Sequence, residues 1–246
     1  MENINKDTYI IIIKKQDEIP QCDLNKKSSD YSYWDKDSIK EKVLTSSPLF
    51  LNDVLLKHPF EEGKYVKIEE AEMLIIKSKL NIIKELCSSL GATSIKSSVH
   101  ILETKSINEN ISANGGSSFF QIGAKIDVKK LNSQKSKYEQ EIIDETEFIK
   151  PTTFSLEETY PGAKEIVEKY KLNNDPDIKS LLTLMNPQRK GSILKRQIVK
   201  FNASSEVNNL FELSASLDVK ELGLSVNFTK TIEQINTLQI TLDVTF

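Results

Sequence analysis

The spacing of apolar residues predicts a long helix in the first half of the chain. Between Lys67 and Ala92, apolar residues recur three, four and seven positions apart and form one stripe. Glu69 and Glu70 lie in the first turn of this stretch, where the helix dipole favours negative charge, and Gly91 is placed to end the helix. The members of the stripe are Ile68, Ala71, Leu74, Ile75, Ile82, Ile83, Leu86 and Leu90.

From Thr93 the pattern changes to an alternation with a period of two, which predicts a β-hairpin, although Glu103 and Lys105 interrupt the apolar face of the first arm. Apolar residues take odd positions over 93–112 and even positions over 117–130. The phase switches around Gly115 and Gly116, so these glycines are expected at the hairpin tip, where Asn-Gly is a favoured turn pair. The first arm approaches about twenty residues, whereas strands usually have about 3–10, so a break near Glu103 is an alternative.

The remaining patterns add shorter elements. Tyr9 to Ile13 reads as a buried strand, and an amphipathic helix is expected to begin at Pro161. A further helix is expected after Asp175, which is suited to cap it, because Pro176 fits the first helical position. Alternation then predicts a strand over 193–203, a second hairpin over 207–219 and 222–232, and a last strand over 238–246.

These elements together predict the α+β class. We expect a largely antiparallel sheet with two long amphipathic β-hairpins, packed against about three to four amphipathic helices. No low-complexity linker separates the strand-rich and helical stretches, so one domain over 1–246 is expected. A sub-division near 149–160 is the alternative.

Composition and charge narrow the class of partner. Hydrophobic residues make up 38% and charged residues 28% of the chain, as in a globular domain. The net charge is −3, from 33 basic and 36 acidic residues, and this argues against a nucleic-acid partner. The first residues lack the apolar segment of a secretory signal, and no stretch has the length of a spanning helix, so a cytoplasmic location is expected.

The residues that usually carry catalysis are few and scattered. The two histidines, His58 and His100, and the two cysteines, Cys22 and Cys87, have no sequence-local partners of triad or zinc-site type. Phosphate loops, nucleophile elbows and dinucleotide fingerprints do not occur. We therefore expect no enzyme activity, no cofactor and no metal. A hydrolase or transferase whose site is assembled only in space is the alternative.

Aromatic residues concentrate once, at Tyr31, Tyr33 and Trp34, within the polar stretch 16–36 that is expected to be a loop. Because tyrosine and tryptophan are enriched at binding hot spots, these rings form a candidate contact cluster. The other interpretation is that they anchor the loop to the body of the protein.

Two functions follow from the long hairpins. The first is a non-enzymatic binding or self-assembly protein, whose partner is another protein or a second copy. The alternative is a soluble pore-forming protein that inserts hairpins 93–130 and 207–232 into a membrane, because spanning strands need about 9–11 alternating residues. The candidate membrane- or partner-facing residues are Phe119, Phe120, Ile122, Ile126, Val226 and Phe228.

Overall fold

The computed structural model describes residues 10–15, 31–108, 121–123, 145–149, 154–189, 195–215 and 234–246. Within these residues the fold has two β-sheets and five α-helices, which confirms the α+β class. The strands are β1 (Ile10–Lys14), β2 (Tyr31–Asp35), β3 (Val43–Leu44), β4 (Val54–Lys57), β5 (Tyr65–Lys67), β6 (Ser94–Asn108), β7 (Gln121–Gly123), β8 (Glu145–Glu147), β9 (Arg196–Asn202) and β10 (Gln234–Thr245). The helices are α1 (Lys36–Ile39), α2 (Ile68–Ser89), α3 (Leu156–Lys169), α4 (Pro176–Leu184) and α5 (Ser205–Ala215).

The first sheet is mixed and has the strand order β2-β1-β4-β5-β3. Strand β1 runs parallel to β2 and antiparallel to β4, and β3 runs parallel to β5. Ile10 to Ile13 are all fully buried, because side chains on both faces of β1 are covered. This explains why the strand reads as a continuous apolar run rather than an alternation.

Different elements cover the two faces of the first sheet. On one face, Ile10 and Ile12 pack in a core cluster with Ile75 of α2 and Val207 of α5. On the other face, Ile11 and Ile13 pack with Leu55 and Tyr65 of the sheet and with Ile39 and Leu49 from the segment between β2 and β4. The sheet is therefore the middle layer of the first unit.

Helix α2 confirms both the helix predicted between Lys67 and Ala92 and its predicted end at Gly91. It spans 22 residues from Ile68 to Ser89. The Gly91 amide donates to the Ser88 carbonyl at 2.9 Å, and the Ala92 amide donates to the Cys87 carbonyl at 2.9 Å, which is a Schellman ending. Gly91 has a φ of 87°, in the region that favours glycine.

The second sheet has the strand order β7-β6-β10-β9, with β8 also paired to β6. Leu238, Ile240, Leu242 and Val244 of β10 are fully buried, while the residues between them are half-exposed. One face of this sheet is thus core and the other meets solvent, as alternation predicts. The predicted final strand is confirmed.

The helices of the second half agree with the sequence in part. Asp175 caps α4, since its carboxylate accepts from the amides of Asp177 and Ile178, and Pro176 takes the first helical position. Helix α3 begins earlier than predicted, at Leu156, so Pro161 lies inside the helix rather than at its start.

The first predicted hairpin is confirmed where the structure describes it. Strand β6 runs for 15 residues, from Ser94 to Asn108, without a break at Glu103. It pairs antiparallel with β7, and Ile107 lies opposite Ile122. The tip residues Gly115 and Gly116 lie outside the described residues, as do Phe119, Phe120 and Ile126.

The second predicted hairpin is wrong in its first arm, because residues 205–215 form helix α5. Val207 and Leu210, three positions apart, both belong to the core cluster on one face of the first sheet. A short apolar stretch fits periods of both two and three to four, and burial of this pair selects the helix. The arm over 222–232, with Val226 and Phe228, lies outside the described residues.

The chain folds into two compact units that alternate along the sequence. The first comprises 1–76, 105–125 and 205–235, and the second comprises 77–104, 126–204 and 236–246. That the whole chain acts as a single domain stays a prediction.

Candidate functional site

Among the described strands of the second unit, β9 has an open outer edge. Strand β9 pairs with β10 on one side, and Phe201 lies opposite Ile240. The Ala203 amide donates to Leu238 at 2.8 Å, and the Phe246 amide donates to Lys195 at 2.9 Å. Odd-numbered residues of β9 therefore bond to β10, and alternation directs the backbone groups of even-numbered residues away from it.

Three residues supply the open groups of this edge: Arg196, Ile198 and Lys200. Together they contribute three N–H donors and three C=O acceptors, one of each per residue. Among the described residues, none forms a hydrogen bond to these backbone groups. All three side chains are exposed, and Ile198 is 57% exposed although it is a large apolar residue. We call these three residues the β9 edge.

The β9 edge ends at Asn202. The carbonyl of Asn202, an even-numbered residue, accepts a 2.6 Å hydrogen bond from the Lys79 ammonium group of α2. The other face of the strand is core, because the side chains of Val199 and Phe201 are buried. The edge is therefore backed by core packing, while the side chains of Arg196, Ile198 and Lys200 are exposed.

Both cations and carboxylates lie around the β9 edge, and Asp243 of β10 lies directly opposite Ile198. The Arg196 guanidinium binds both carboxylate oxygens of Asp243, at 2.6 Å from Nε to Oδ1, and this pairing lowers the pKa of Asp243. Lys200 forms no ion pair with a described residue. It lies near the start of α4 and interacts with Asp177. Burial and the neighbouring Asp175 raise the pKa of Asp177, and Lys200 only partly opposes this rise. Lys195 adds a further exposed cation.

The predicted aromatic contact cluster is divided between two faces of the first sheet. Tyr31, Tyr33 and Trp34 lie in β2, so the loop expected over 16–36 is wrong for these residues. Tyr33 packs against one core cluster and Trp34 against the other, and Trp34 Nε1 donates to Ser32 Oγ at 3.0 Å. Both rings are half-buried, which favours the anchoring interpretation for this pair.

A second exposed apolar feature is the loop before β4. Phe50 is 59% exposed and Leu51 is 44% exposed. Asp53 Oδ2 accepts from the Phe50 amide at 2.7 Å and pairs with Lys67 at 3.0 Å. These two contacts of Asp53 fix the loop to β5.

The two histidines occupy different environments. Nδ1 of His58 accepts from the amides of Phe60 and Glu61, at 3.2 and 3.0 Å. Its Nε2 is buried and has no hydrogen-bond partner among the described residues. Burial lowers the pKa of His58, although Glu61 opposes this. His58 is thus neutral and its acceptor nitrogen is occupied, whereas His100 is exposed on β6.

The described cysteine lies in the core. Cys87 is buried in α2, and burial raises the pKa of its thiol to about 12. The described residues bring no three histidine, cysteine or acidic side chains together in a way that could hold a metal ion.

A shallow cleft of about 230 Å³ lies between α3 and the segment after α4, lined by Tyr160, Lys164 and Asn186 among others.

Comparison of the chain with protein-family models, curated proteins and solved structures finds no match. No described helix is both long enough and apolar enough to cross a membrane.

Proposed function

We propose that this chain is a non-enzymatic protein-binding module, which takes an extended segment of another polypeptide onto the β9 edge. The observation that carries the proposal is the row of outward backbone groups at Arg196, Ile198 and Lys200. In strand addition, main-chain hydrogen bonds supply affinity and alternate side chains supply specificity. An added strand would give each of these groups a partner.

The exposed side chain of Ile198 supports the same proposal. Ile198 is an apolar residue that lies between two charged residues, Arg196 and Lys200, on the solvent face of β9. An apolar side chain on the added strand, directly across from Ile198, would remove this surface from water. Cross-strand apolar pairs stabilise sheets by about 0.2–1 kcal/mol each.

The test uses short random peptides displayed on phage and selected on the full-length folded chain. Ile198→Pro removes one outward N–H but no bond to β10, because proline is tolerated where an edge N–H faces solvent. Peptides selected on the wild type are expected to lose binding to Ile198→Pro. Ile198→Thr is the matched control, since it keeps the N–H, and it should weaken binding only moderately.

Circular dichroism and urea unfolding must show that both variants are folded. Peptides that bind Ile198→Pro as tightly as the wild type would contradict the proposal. A library that yields no binding peptide would contradict it as well.

Pore formation by hairpins 93–130 and 207–232 stays a prediction. The described part of the second hairpin is helical, and Ile95 and Val99 of β6 are buried in the core. Neither observation favours the alternative over strand addition.

A further inference from the structure

We infer that the segment taken up by the β9 edge is acidic, with one carboxylate on each side of a central apolar residue. This inference rests on the proposed function and names the chemical class of the partner. It follows from the order of the three exposed side chains on β9, which is cation, apolar, cation.

The geometry of an added strand fixes which side chains meet. Residues directly opposite each other in an antiparallel pair place their Cβ atoms about 4.5–5.5 Å apart. If the central residue of the segment lies opposite Ile198, the residues two before and two after it lie opposite Lys200 and Arg196. The resulting pattern, acid-x-apolar-x-acid, is the same when the segment is read in either direction.

The two cations differ in how much charge they offer. Arg196 already holds the Asp243 carboxylate, so part of its charge is compensated. Lys200 is exposed and forms no ion pair with a described residue, although it interacts electrostatically with Asp177 at the start of α4. The carboxylate opposite Lys200 is therefore the stronger determinant of the two.

A second copy of the chain fits the edge poorly. If two β9 strands paired antiparallel about Ile198, Arg196 of each copy would lie opposite Lys200 of the other. Like charges directly opposite each other destabilise a sheet, and this arrangement contains the contact twice. Positive residues on an edge strand are also a common way to prevent such self-pairing.

The test measures fluorescence anisotropy of labelled peptides on the full-length chain. The acidic probe is Thr-Glu-Thr-Ile-Thr-Glu-Thr, and matched probes carry Gln or Lys in place of both Glu residues. We expect the Gln peptide to bind about fivefold more weakly and the Lys peptide about thirtyfold more weakly than the acidic one. These preferences should decrease as the salt concentration rises.

The Lys200→Glu variant tests the charge directly. It should weaken the acidic peptide by on the order of tenfold and strengthen the Lys peptide. Lys40→Glu makes the same change of net charge on an exposed lysine just after α1 and should leave both affinities unchanged.

The outcomes separate this inference from the proposed function. Equal binding of all three peptides, lost in Ile198→Pro, would overturn the acidic preference and leave strand addition standing. Binding of no peptide would overturn both. A wild-type dimer in sedimentation analysis that Ile198→Pro dissociates would identify a second copy as the occupant and overturn the inference.

Discussion

The ammonium group of Lys79 and the carbonyl of Asn202 are joined by a hydrogen bond of 2.6 Å. Asn202 is the last residue of β9, and its carbonyl points to the same side as the open groups of Ile198 and Lys200. Lys79 is buried in α2 and also lies over the ring of Phe201, 5.8 Å from its centre. The contact ends the open edge and ties β9 to the helix behind it.

Lys79→Met should lower the free energy of unfolding by about 1–3 kcal/mol, because it leaves a backbone carbonyl without its hydrogen bond. Urea unfolding followed by far-UV circular dichroism measures the change. Lys179→Met, at an exposed lysine of α4, is the control and should have little effect. Equal stability of the two variants would show that the Lys79 contact does not stabilise the fold.

His58 should make stability depend on pH. Burial lowers its folded-state pKa below the ordinary value of 6.5, so the unfolded chain takes up this proton at higher pH than the folded chain. The stabilisation is complete above pH 6.5 and is lost as the pH falls from there through the lowered pKa. Urea unfolding at about pH 7.5 and about pH 5.5 measures the loss.

His58→Asn is the matched control for this titration. Asparagine keeps an acceptor for the amides of Phe60 and Glu61 and cannot be protonated in this range. Its stability should fall less than that of the wild type between the two pH values. The same decrease in both proteins would assign the pH dependence to other groups.

The ion pair of Asp53 with Lys67 should be important for the first unit. Both side chains are mostly buried, and Lys67 also donates to the Pro48 carbonyl at 3.2 Å. Asp53→Ala leaves the lysine charge without its partner, which is expected to cost about 3–5 kcal/mol of unfolding free energy. Fluorescence of the single tryptophan, Trp34, during urea unfolding reports the change. A loss below about 1 kcal/mol would contradict this role.

The thiol of Cys87 should be unreactive in the folded protein. It is fully buried, and burial raises its pKa to about 12, so the reactive thiolate is almost absent at neutral pH. In a Cys22→Ser background, an aromatic disulfide reagent should label Cys87 only after unfolding in urea. Rapid labelling of the folded chain would mean that this part of α2 opens readily.

Local periodicity was sufficient to predict those helices and strands whose packing in the fold agrees with their own sequence pattern. The stripe of α2, the alternation of β6 and the cap of α4 at Asp175 each follow from residues close in sequence. Over 207–215 the same reasoning fails, because Val207 and Leu210 are placed by the first sheet, whose strands lie far away in sequence. There, distant packing selects between two periods that the residues allow equally.

The candidate site was harder to predict than the fold. A strand over 193–203 was expected, but its position at the edge depends on which strands pair, and one sequence does not encode this locally. The available signal was Ile198, an apolar residue between Arg196 and Lys200 on the charged face of the strand. Residue type indicated that Tyr33 and Trp34 belong to one contact cluster. Adjacent positions of a strand point to opposite faces, however, so these two rings are separated.

Hydrogen exchange of individual backbone amides is the most direct test of strand addition at the β9 edge. NMR would follow the full-length chain with and without the acidic peptide Thr-Glu-Thr-Ile-Thr-Glu-Thr. The amides of Ile198 and Lys200 should exchange fast in the free protein and become protected when the peptide is bound. The amides of Val199 and Phe201, already bonded to β10, should be protected in both states. Peptide binding that leaves Ile198 and Lys200 unprotected would contradict strand addition at the β9 edge.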